Sequence, residues 1–433
     1  MRCCLLAILL LVLLPAIASA QDRFPPPDFR TGYSLPQTQT TAPRAPYWAY
    51  IDLAALALAV GIAAYLVLKK RSRRAVFVLM IASLIYFGFW RKGCVCSIGS
   101  IQNVSLAIWN PSYILPWLVA AYFLLPLIFA LFFGRVFCAG VCPLGAIQDA
   151  VIWKPIQLPY WLETSLGLFA YAYLGLAVLL AGTGSDFAIC QYDPFVAFFR
   201  RSGTAQMLFL GAVILLCGLF VGRIYCRFIC PYGVLLRLIS PLSRRRVSIT
   251  PDKCIDCRLC EQSCPFGAIR EPTTAQVVEV HRSDRLLFIA ALALVVVLPL
   301  ALAWVGYRAG PKVARVDPAV QLAELAWQAD HGQTPPDSTA RDRLTAFTNT
   351  GRPSEELYAQ AYTLQHRFAV GTAWLGVWMG LVIALKLLGH AVRRPRSDYL
   401  ADAGTCLACA RCYKYCPVEK AANSSPQERP VPA

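Results

Sequence analysis

Eight of the chain's eighteen cysteines fall into two runs with one spacing. CIDCRLCEQSCP, from Cys254 to Pro265, and CLACARCYKYCP, from Cys406 to Pro417, both read C-x2-C-x2-C-x3-C-P. Three closely spaced thiolates can take one [4Fe–4S] cluster, and in two-cluster ferredoxins the fourth cysteine of each run ligates the other cluster. A zinc knuckle seldom carries four cysteines in this spacing closed by proline, and here the pattern occurs twice. The expected sets are Cys254, Cys257, Cys260 and Cys416 for one cluster, and Cys406, Cys409, Cys412 and Cys264 for the other. The implied chemistry is electron transfer.

A second group of cysteines carries a repeat. GRVFCAGVCPLG (Gly134 to Gly145) recurs 88 residues later as GRIYCRFICPYG (Gly222 to Gly233). CSIGSIQN from Cys96 matches CPLGAIQD from Cys142 at Cys, Gly, Ile and Gln, and CQYDPF from Cys190 takes the corresponding place in the second half. The pattern predicts a duplicated core between about 75 and 240 with half-repeats of opposite direction. Inverted repeats with broken, Pro-bearing segments build sites inside a bilayer, where irregular backbone must be enclosed by protein. Cys138, Cys142, Cys226 and Cys230 form two C-x3-C-P pairs that can share one iron–sulfur centre, with buried structural thiols as the alternative. Cys94, Cys96 and Cys190 can hold another with an oxygen or nitrogen ligand, or close a disulfide. Cys217 stands alone in an apolar stretch and reads as packing.

The elements that position these groups belong to a membrane. The chain is 57% hydrophobic and 15% charged, with mean hydropathy +0.52. Its net charge of +17 is concentrated in runs beside apolar stretches: KKRSRR (Lys69 to Arg74), RRR (Arg244 to Arg246) and RRPR (Arg393 to Arg396). That is the positive-inside pattern, and no nucleic-acid recognition motif accompanies it. Residues 1–20 read as a signal peptide ending Ala18-Ser19-Ala20, or else a retained first span; 21–46 read as an extracytoplasmic linker. Seven spans are expected near 48–68, 75–91, 112–133, 164–183, 205–222, 286–306 and 367–389. The domain reading is a five-span core at 47–245 and a first ferredoxin-type segment at 246–283. A sixth span at 284–306, an extracytoplasmic helical insertion at 307–366, a seventh span at 367–390 and a second ferredoxin-type segment at 391–433 follow. The basic runs place both ferredoxin-type motifs in the cytoplasm, where clusters are assembled. They place the C-x3-C-P pairs on the inner side and Cys94, Cys96 and Cys190 on the outer. The fold class is mainly α: a polytopic membrane bundle with a two-cluster ferredoxin-like head drawn from two separate segments. Arg91-Lys92 and Arg200-Arg201 fall on the outer side against the charge rule, either tolerated there or serving to attract an anionic partner.

At these motifs the chain resembles the NosR/NapH group of membrane polyferredoxins, over roughly 75–270 and again at 406–417. The resemblance implies cluster ligation by the eight ferredoxin-type cysteines. It also implies an electron path between the quinone pool or a cytoplasmic donor and an extracytoplasmic redox protein, across the bacterial inner membrane. The chain departs from NosR-type proteins in having no S/D-G-x-T-x-[AS]-T flavin-attachment motif, so a flavin belongs on a partner. An alternative role is supplying reducing equivalents to an exported metalloenzyme during maturation; a third is redox sensing, for which no effector domain is visible. His366 and His390 flank one span at ~36 Å along a helix, too far to share a haem. His281 and His390 can meet on the inner side, though surface histidines are the simpler reading. No hydrolase constellation is present.

Overall fold

The computed structural model describes residues 45–93, 95–200, 203–249, 254–272, 282–333, 337–392 and 398–418. The expected signal peptide, all but the end of the linker, Cys94, His281 and the Arg393–Arg396 run lie outside them. Contacts divide the chain into Met1–Pro46 and Tyr47–Ala433, and the second unit holds every element described.

The first half alternates long apolar helices with short broken ones. α1 (Tyr47–Leu68) leads to α2 (Arg73–Ser83), whose N-cap Ser72 accepts the Ala75 N–H and which runs on as a π-helix over Leu84–Trp90. Then come α3 (Ser100–Trp109), α4 (Trp117–Phe133), α5 (Val136–Gly140), α6 (Pro143–Val151) and α7 (Tyr160–Thr183). They are followed by α8 (Ala188–Tyr192), α9 (Pro194–Arg200), α10 (Ala205–Gly218), α11 (Ile224–Phe228) and α12 (Pro231–Ile239). Proline opens α6, α9 and α12, where its missing N–H costs no hydrogen bond and its fixed φ suits the first turn. The same prolines keep the preceding residue (Cys142, Asp193 or Cys230) extended and so break the chain there.

The second half is simpler. α13 (Leu259–Gln262) and the two-residue strand β1 (Ile269–Arg270) precede α14 (Arg282–Val313), α15 (Pro318–Asp330), α16 (Ser338–Thr348) and α17 (Ser354–Ala391). β2 (Leu400–Ala401) and α18 (Arg411–Tyr415) end the described chain. β1 and β2 pair antiparallel, Ile269 against Ala401 and Arg270 against Leu400. α14 and α17 pack closely enough that a Cβ on Gly306 would lie 2.2 Å from Thr372 O, and one on Gly376 2.1 Å from Leu302 O. Each helix carries a G-x3-G pair, Gly306/Gly310 and Gly376/Gly380, the small-residue spacing that lets helices approach in a bilayer.

Among the described residues, five helices are long and apolar enough to cross a membrane: Tyr47–Leu68, Arg73–Trp90, Trp161–Thr183, Leu286–Val316 and Ser354–Gly389. Two of the seven expected spans are shorter than the sequence suggested. The 112–133 stretch is helical only from Trp117, after extended Pro116, and stops at Gly134 with φ +70°. Its 17 residues reach ~26 Å, short of a ~30 Å hydrocarbon core. The 205–222 stretch is a 14-residue helix, and it qualifies as a span only as a bent pair with Pro194–Arg200. The expected limits of the outer insertion are also crossed by unbroken helix. The SEELYAQAYTLQHRF segment and the last span form one 38-residue helix, ~57 Å long, because no proline interrupts it. α14 likewise continues past residue 306 to Val313.

The central core gathers α1, α2, α5, α6, α7, α11, α12 and both ferredoxin-type segments into one cluster of buried residues. The short, broken helices lie at its middle, where Arg223, Tyr225 and Tyr232 are almost fully buried.

Candidate iron–sulfur sites

The two ferredoxin-type loops share an unusual backbone. In each, the residues flanking the second cysteine have positive φ: Asp256 (56°) and Arg258 (57°) around Cys257, Ala408 (52°) and Ala410 (60°) around Cys409. A left-handed conformation costs roughly 1–2 kcal/mol for a residue with a Cβ, and four such residues persist only where surrounding structure over-determines them. Alternating handedness turns successive N–H groups toward one concavity, the nest that receives anions and iron–sulfur clusters.

The loops bring their cysteines together across the sequence. Cys254, Cys257 and Cys260 line one small cavity with Cys416, beside Ile249, Ile255 and Tyr399. Cys264 lines another with Cys406, Cys409 and Cys412, beside Phe266 and Leu407. Each cavity thus takes three thiols from one run and the fourth from the other. Besides the strand pair, Asp402 N–H donates to Ala268 O at 2.8 Å and the Tyr413 hydroxyl to Ser248 O at 3.2 Å. The cavities differ in exposure. Cys254 and Cys257 are exposed, whereas Cys264 and Cys409 are buried. Burial pushes the Cys406 thiol up to about 12 and raises Cys264 and Cys412 as well. Without metal these thiols keep their protons, and metal binding must displace them.

The C-x3-C-P segments sit beneath. Cys138 is the third residue of five-residue α5 and Cys226 the third of five-residue α11. Val141 (φ −123°, ψ −36°) and Ile229 (−121°, −40°) break the helices. Cys142 (−64°, 117°) and Cys230 (−59°, 114°) are extended before their prolines. A Cβ on Gly145 would meet Cys138 O at 3.2 Å, and one on Gly233 would meet Cys226 O at 3.1 Å. The two segments therefore match in detail. Cys230 lies within electrostatic reach of Cys138, Cys142 and Cys226. On the opposite arm, Cys96 and Cys190 both face Gly99, whose added Cβ would lie 3.7 and 3.2 Å from their sulfurs. Cys96 and Cys190 are unbridged; Cys94 is outside the described residues.

Sequence reasoning missed the charges around these thiols. Arg223 donates to Cys138 O and lies 3.5 Å from Asp149 Oδ1. Asp149, itself fully buried, also pairs with Arg411 at 3.2 Å and with Arg73, and Arg73 donates to Cys409 O at 3.2 Å. Arg135 and Arg237 both donate to Gly404 O, at 2.9 and 3.3 Å. Arg227 pairs with Glu163 at 2.8 Å. Of these six guanidiniums, buried or half-buried, four pair with just two carboxylates, Asp149 and Glu163. Arg135 Nε, Arg223 Nε, Arg227 Nη1 and Arg411 Nε are buried without a hydrogen-bond acceptor. Burial alone would raise the Asp149 carboxyl; Arg223, Arg73 and Arg411 overcome it and hold it well below the usual range. A signal was present: Arg135 and Arg223 are the Arg of both GR[VI][FY]C copies, and Asp149 ends CPLGAIQD.

The donor set fits iron–sulfur clusters on three counts. It offers four thiols per cavity, nest-type backbone around them, and surplus buried cations with unsatisfied donors where thiolate-bound clusters carry negative charge. Among the described residues no three His, Cys, Asp or Glu side chains converge tightly enough to share a single metal ion. A [4Fe–4S] cube instead takes one thiolate on each of four irons.

Other expected groups are placed as follows. Arg91 pairs with buried Asp52, which also accepts from the Tyr86 hydroxyl at 3.0 Å, so its charge is neutralised within the core. Cys217 is half-buried in α10. His331 stacks on Trp327 at 4.1 Å. His366 lines an apolar cavity among α3, α7 and α17. The His281–His390 pairing falls on residues whose side chains are not described.

A family model described as a 4Fe-4S binding domain matches residues 115–168 and 204–250, and a second with the same description matches 247–270. Over 156 residues the chain is 29% identical to YccM of Escherichia coli K12, an electron transport protein by its name. The match spans 32% of this chain and 43% of YccM. It is 30% identical over 155 residues to the methylamine utilization ferredoxin-type protein MauN of Paracoccus denitrificans, 35% of this chain and 54% of MauN. It is 25% identical over 226 residues to the regulatory protein NosR of Pseudomonas aeruginosa, 46% of this chain and 30% of NosR. The chain thus spans about half or less of each of these relatives. No solved structure matches it.

Proposed function

We propose, for a chain that belongs to the NosR/NapH-like group of membrane ferredoxin-type proteins, the role of an electron conduit across a bacterial inner membrane. It joins a cytoplasmic iron–sulfur head, fed by a soluble donor or the quinone pool, to an extracytoplasmic redox protein. Any flavin resides on that partner. Bound in these cavities, iron–sulfur clusters supply one-electron transfer over a range of potentials set by their surroundings. Cys254, Cys257, Cys260 and Cys416 hold the first; Cys406, Cys409, Cys412 and Cys264 hold the second. Cys138, Cys142, Cys226 and Cys230 hold a centre in the duplicated core, and Cys96 and Cys190, with Cys94, one on the outer side.

The observation that carries this reading is the crossing of the two ferredoxin-type runs at two separate four-thiol cavities. The chain's residues do the rest. Exposed Cys254 and Cys257 make the first cavity the natural contact for a donor, while Phe266 and Leu407 keep water from the second. Arg223 and Asp149 tie the second cavity to the C-x3-C-P thiols: the same salt-bridge cluster touches Cys138 O on one side and, through Arg73, Cys409 O on the other. Arg135, Arg237 and Ser240, the last donating to Ala403 O at 2.6 Å, fasten the head to the core. The matched backbone of α5–α6 and α11–α12 supports an internal duplication.

Anaerobic purification with iron and acid-labile sulfide counted per chain tests the proposal. About eight irons means that the head alone is loaded, and more extends the path into the membrane core. Cys416→Ser should damage the cluster held mainly by the first run. Loss of only the second run's EPR signal would sink the crossed assignment.

A further inference from the structure

The outer arm follows the inner architecture with one substitution and a spacing one residue shorter, C-x2-D-P for C-x3-C-P. Cys190 is the third residue of five-residue α8, as Cys138 is of α5 and Cys226 of α11. The next helix again begins with a proline, Pro194, and the residue before it is again extended: Asp193 at φ −77°, ψ 115°, against −64°, 117° for Cys142 and −59°, 114° for Cys230. Asp193 thus stands where the inner arms place their second ligand-type cysteine.

A second correspondence comes from glutamines. Gln148, six residues after Cys142, accepts at 2.9 Å the N–H of Tyr225, the residue before Cys226, and donates to Cys226 Sγ at 3.4 Å. Gln102, six residues after Cys96, accepts the N–H of Ile189, the residue before Cys190. Its own amide nitrogen is buried with no acceptor. A donor that serves a cysteine sulfur in the inner site therefore has nothing to serve in the outer one. A buried donor in that state is destabilising unless an acceptor occupies the space.

Asp193 is 4% exposed and pairs with no cation among the described residues. Its Oδ1 accepts from Phe195 N–H at 2.9 Å and more weakly from Val196 N–H at 3.4 Å, and its Oδ2 accepts from the Tyr225 hydroxyl. A carboxylate offers about four acceptor sites, so one remains open.

We propose that Asp193 is the oxygen ligand of the outer iron–sulfur centre, binding iron beside Cys96 and Cys190. This rests on the reading that the outer thiols hold a centre at all. The carboxylate supplies the negative charge that a fourth thiolate would have supplied, and Tyr225 fixes its orientation.

The test uses the full chain, purified anaerobically, with iron, sulfide and EPR read together. The Cys96→Ser/Cys190→Ser double variant addresses the underlying reading: it should lose the iron of one centre and keep the head signals. An unchanged iron count there overturns the outer centre itself. Asp193→Ser retains a side chain that caps α9 but removes the carboxylate; iron should fall as in the double variant. Asp193→Cys should restore the iron and shift the g-values of that centre, and it decides the matter where Asp193→Ser fails to fold. If the double variant loses iron while both Asp193 variants keep wild-type iron and an unchanged spectrum, Asp193 is a helix cap and the assignment falls.

Discussion

Replacing Asp149 by Asn leaves the shape of its site almost intact and removes one charge from the centre of three guanidiniums. Two of the contacts are 3.2 Å (Arg411) and 3.5 Å (Arg223). At an effective dielectric near 20, each has a gross attraction on the order of 5 kcal/mol. Most of that offsets the cost of taking the ions out of water, so the measurable loss is that of breaking a buried pair, about 3–5 kcal/mol. The predicted change has two readouts. Chaotrope unfolding, followed by bleaching of cluster absorbance, should move to clearly lower concentration. The midpoint potential of the buried head cluster should rise, because a negative charge near it is gone and reduction becomes easier. Charge linkage adds a pH test. The Asp149 carboxyl is held below its unfolded value, so its contribution is complete above the ordinary carboxylate pKa and is lost as pH falls below that range. Asp149→Asn should therefore flatten the acid limb of the stability profile. A stability change under about 1 kcal/mol, the size of a surface pair, together with an unmoved potential would refute the reasoning.

Three further outcomes are expected. Gly145→Val should cost the core centre while sparing the head, because its Cβ would start 3.2 Å from Cys138 O and 3.7 Å from Cys226 Sγ; core and head EPR signals read it. Gly376→Leu should force α14 and α17 apart, since even a Cβ would lie 2.1 Å from Leu302 O. Overpacking of this kind typically costs about 1–3 kcal/mol, visible as increased proteolysis in the α15–α16 segment that joins the two helices. Cluster uptake by the metal-free head should slow as pH is lowered, because burial raises Cys406 to about 12 and binding must expel its proton. The same raised value means the metal-free fold is favoured below the ordinary thiol pKa and loses that advantage as pH climbs toward 12.

The cysteine spacing made the grouping of eight thiols at two cavities legible because local spacing is what such loops require, and the apolar runs made most of the helices legible because bilayer thickness sets their length. What the sequence left unread depends on contacts between distant residues. Pro116 and Gly134 shorten a run that looks continuous by hydropathy. The arginines of the two GR motifs read as flanking charge until Asp149 and the head close around them. Arg91 looked misplaced on the outer side because its partner, Asp52, lies within an apolar stretch where a single carboxylate carries no pattern. The role of Asp193 is hidden for a related reason: a ligand that is not cysteine escapes a search by cysteine spacing.

The crossing of the two ferredoxin-type runs also bears on biosynthesis. Neither four-thiol cavity is complete until the second run, which lies beyond α14 and α17, has been made and folded back: Cys412 completes one and Cys416 the other. A chain that stalls before that point, or fails to insert those two helices, can close neither cage. Stable loading of the proposed head is thereby coupled to synthesis through the second run, and a product truncated before it would lack both head clusters rather than carry one.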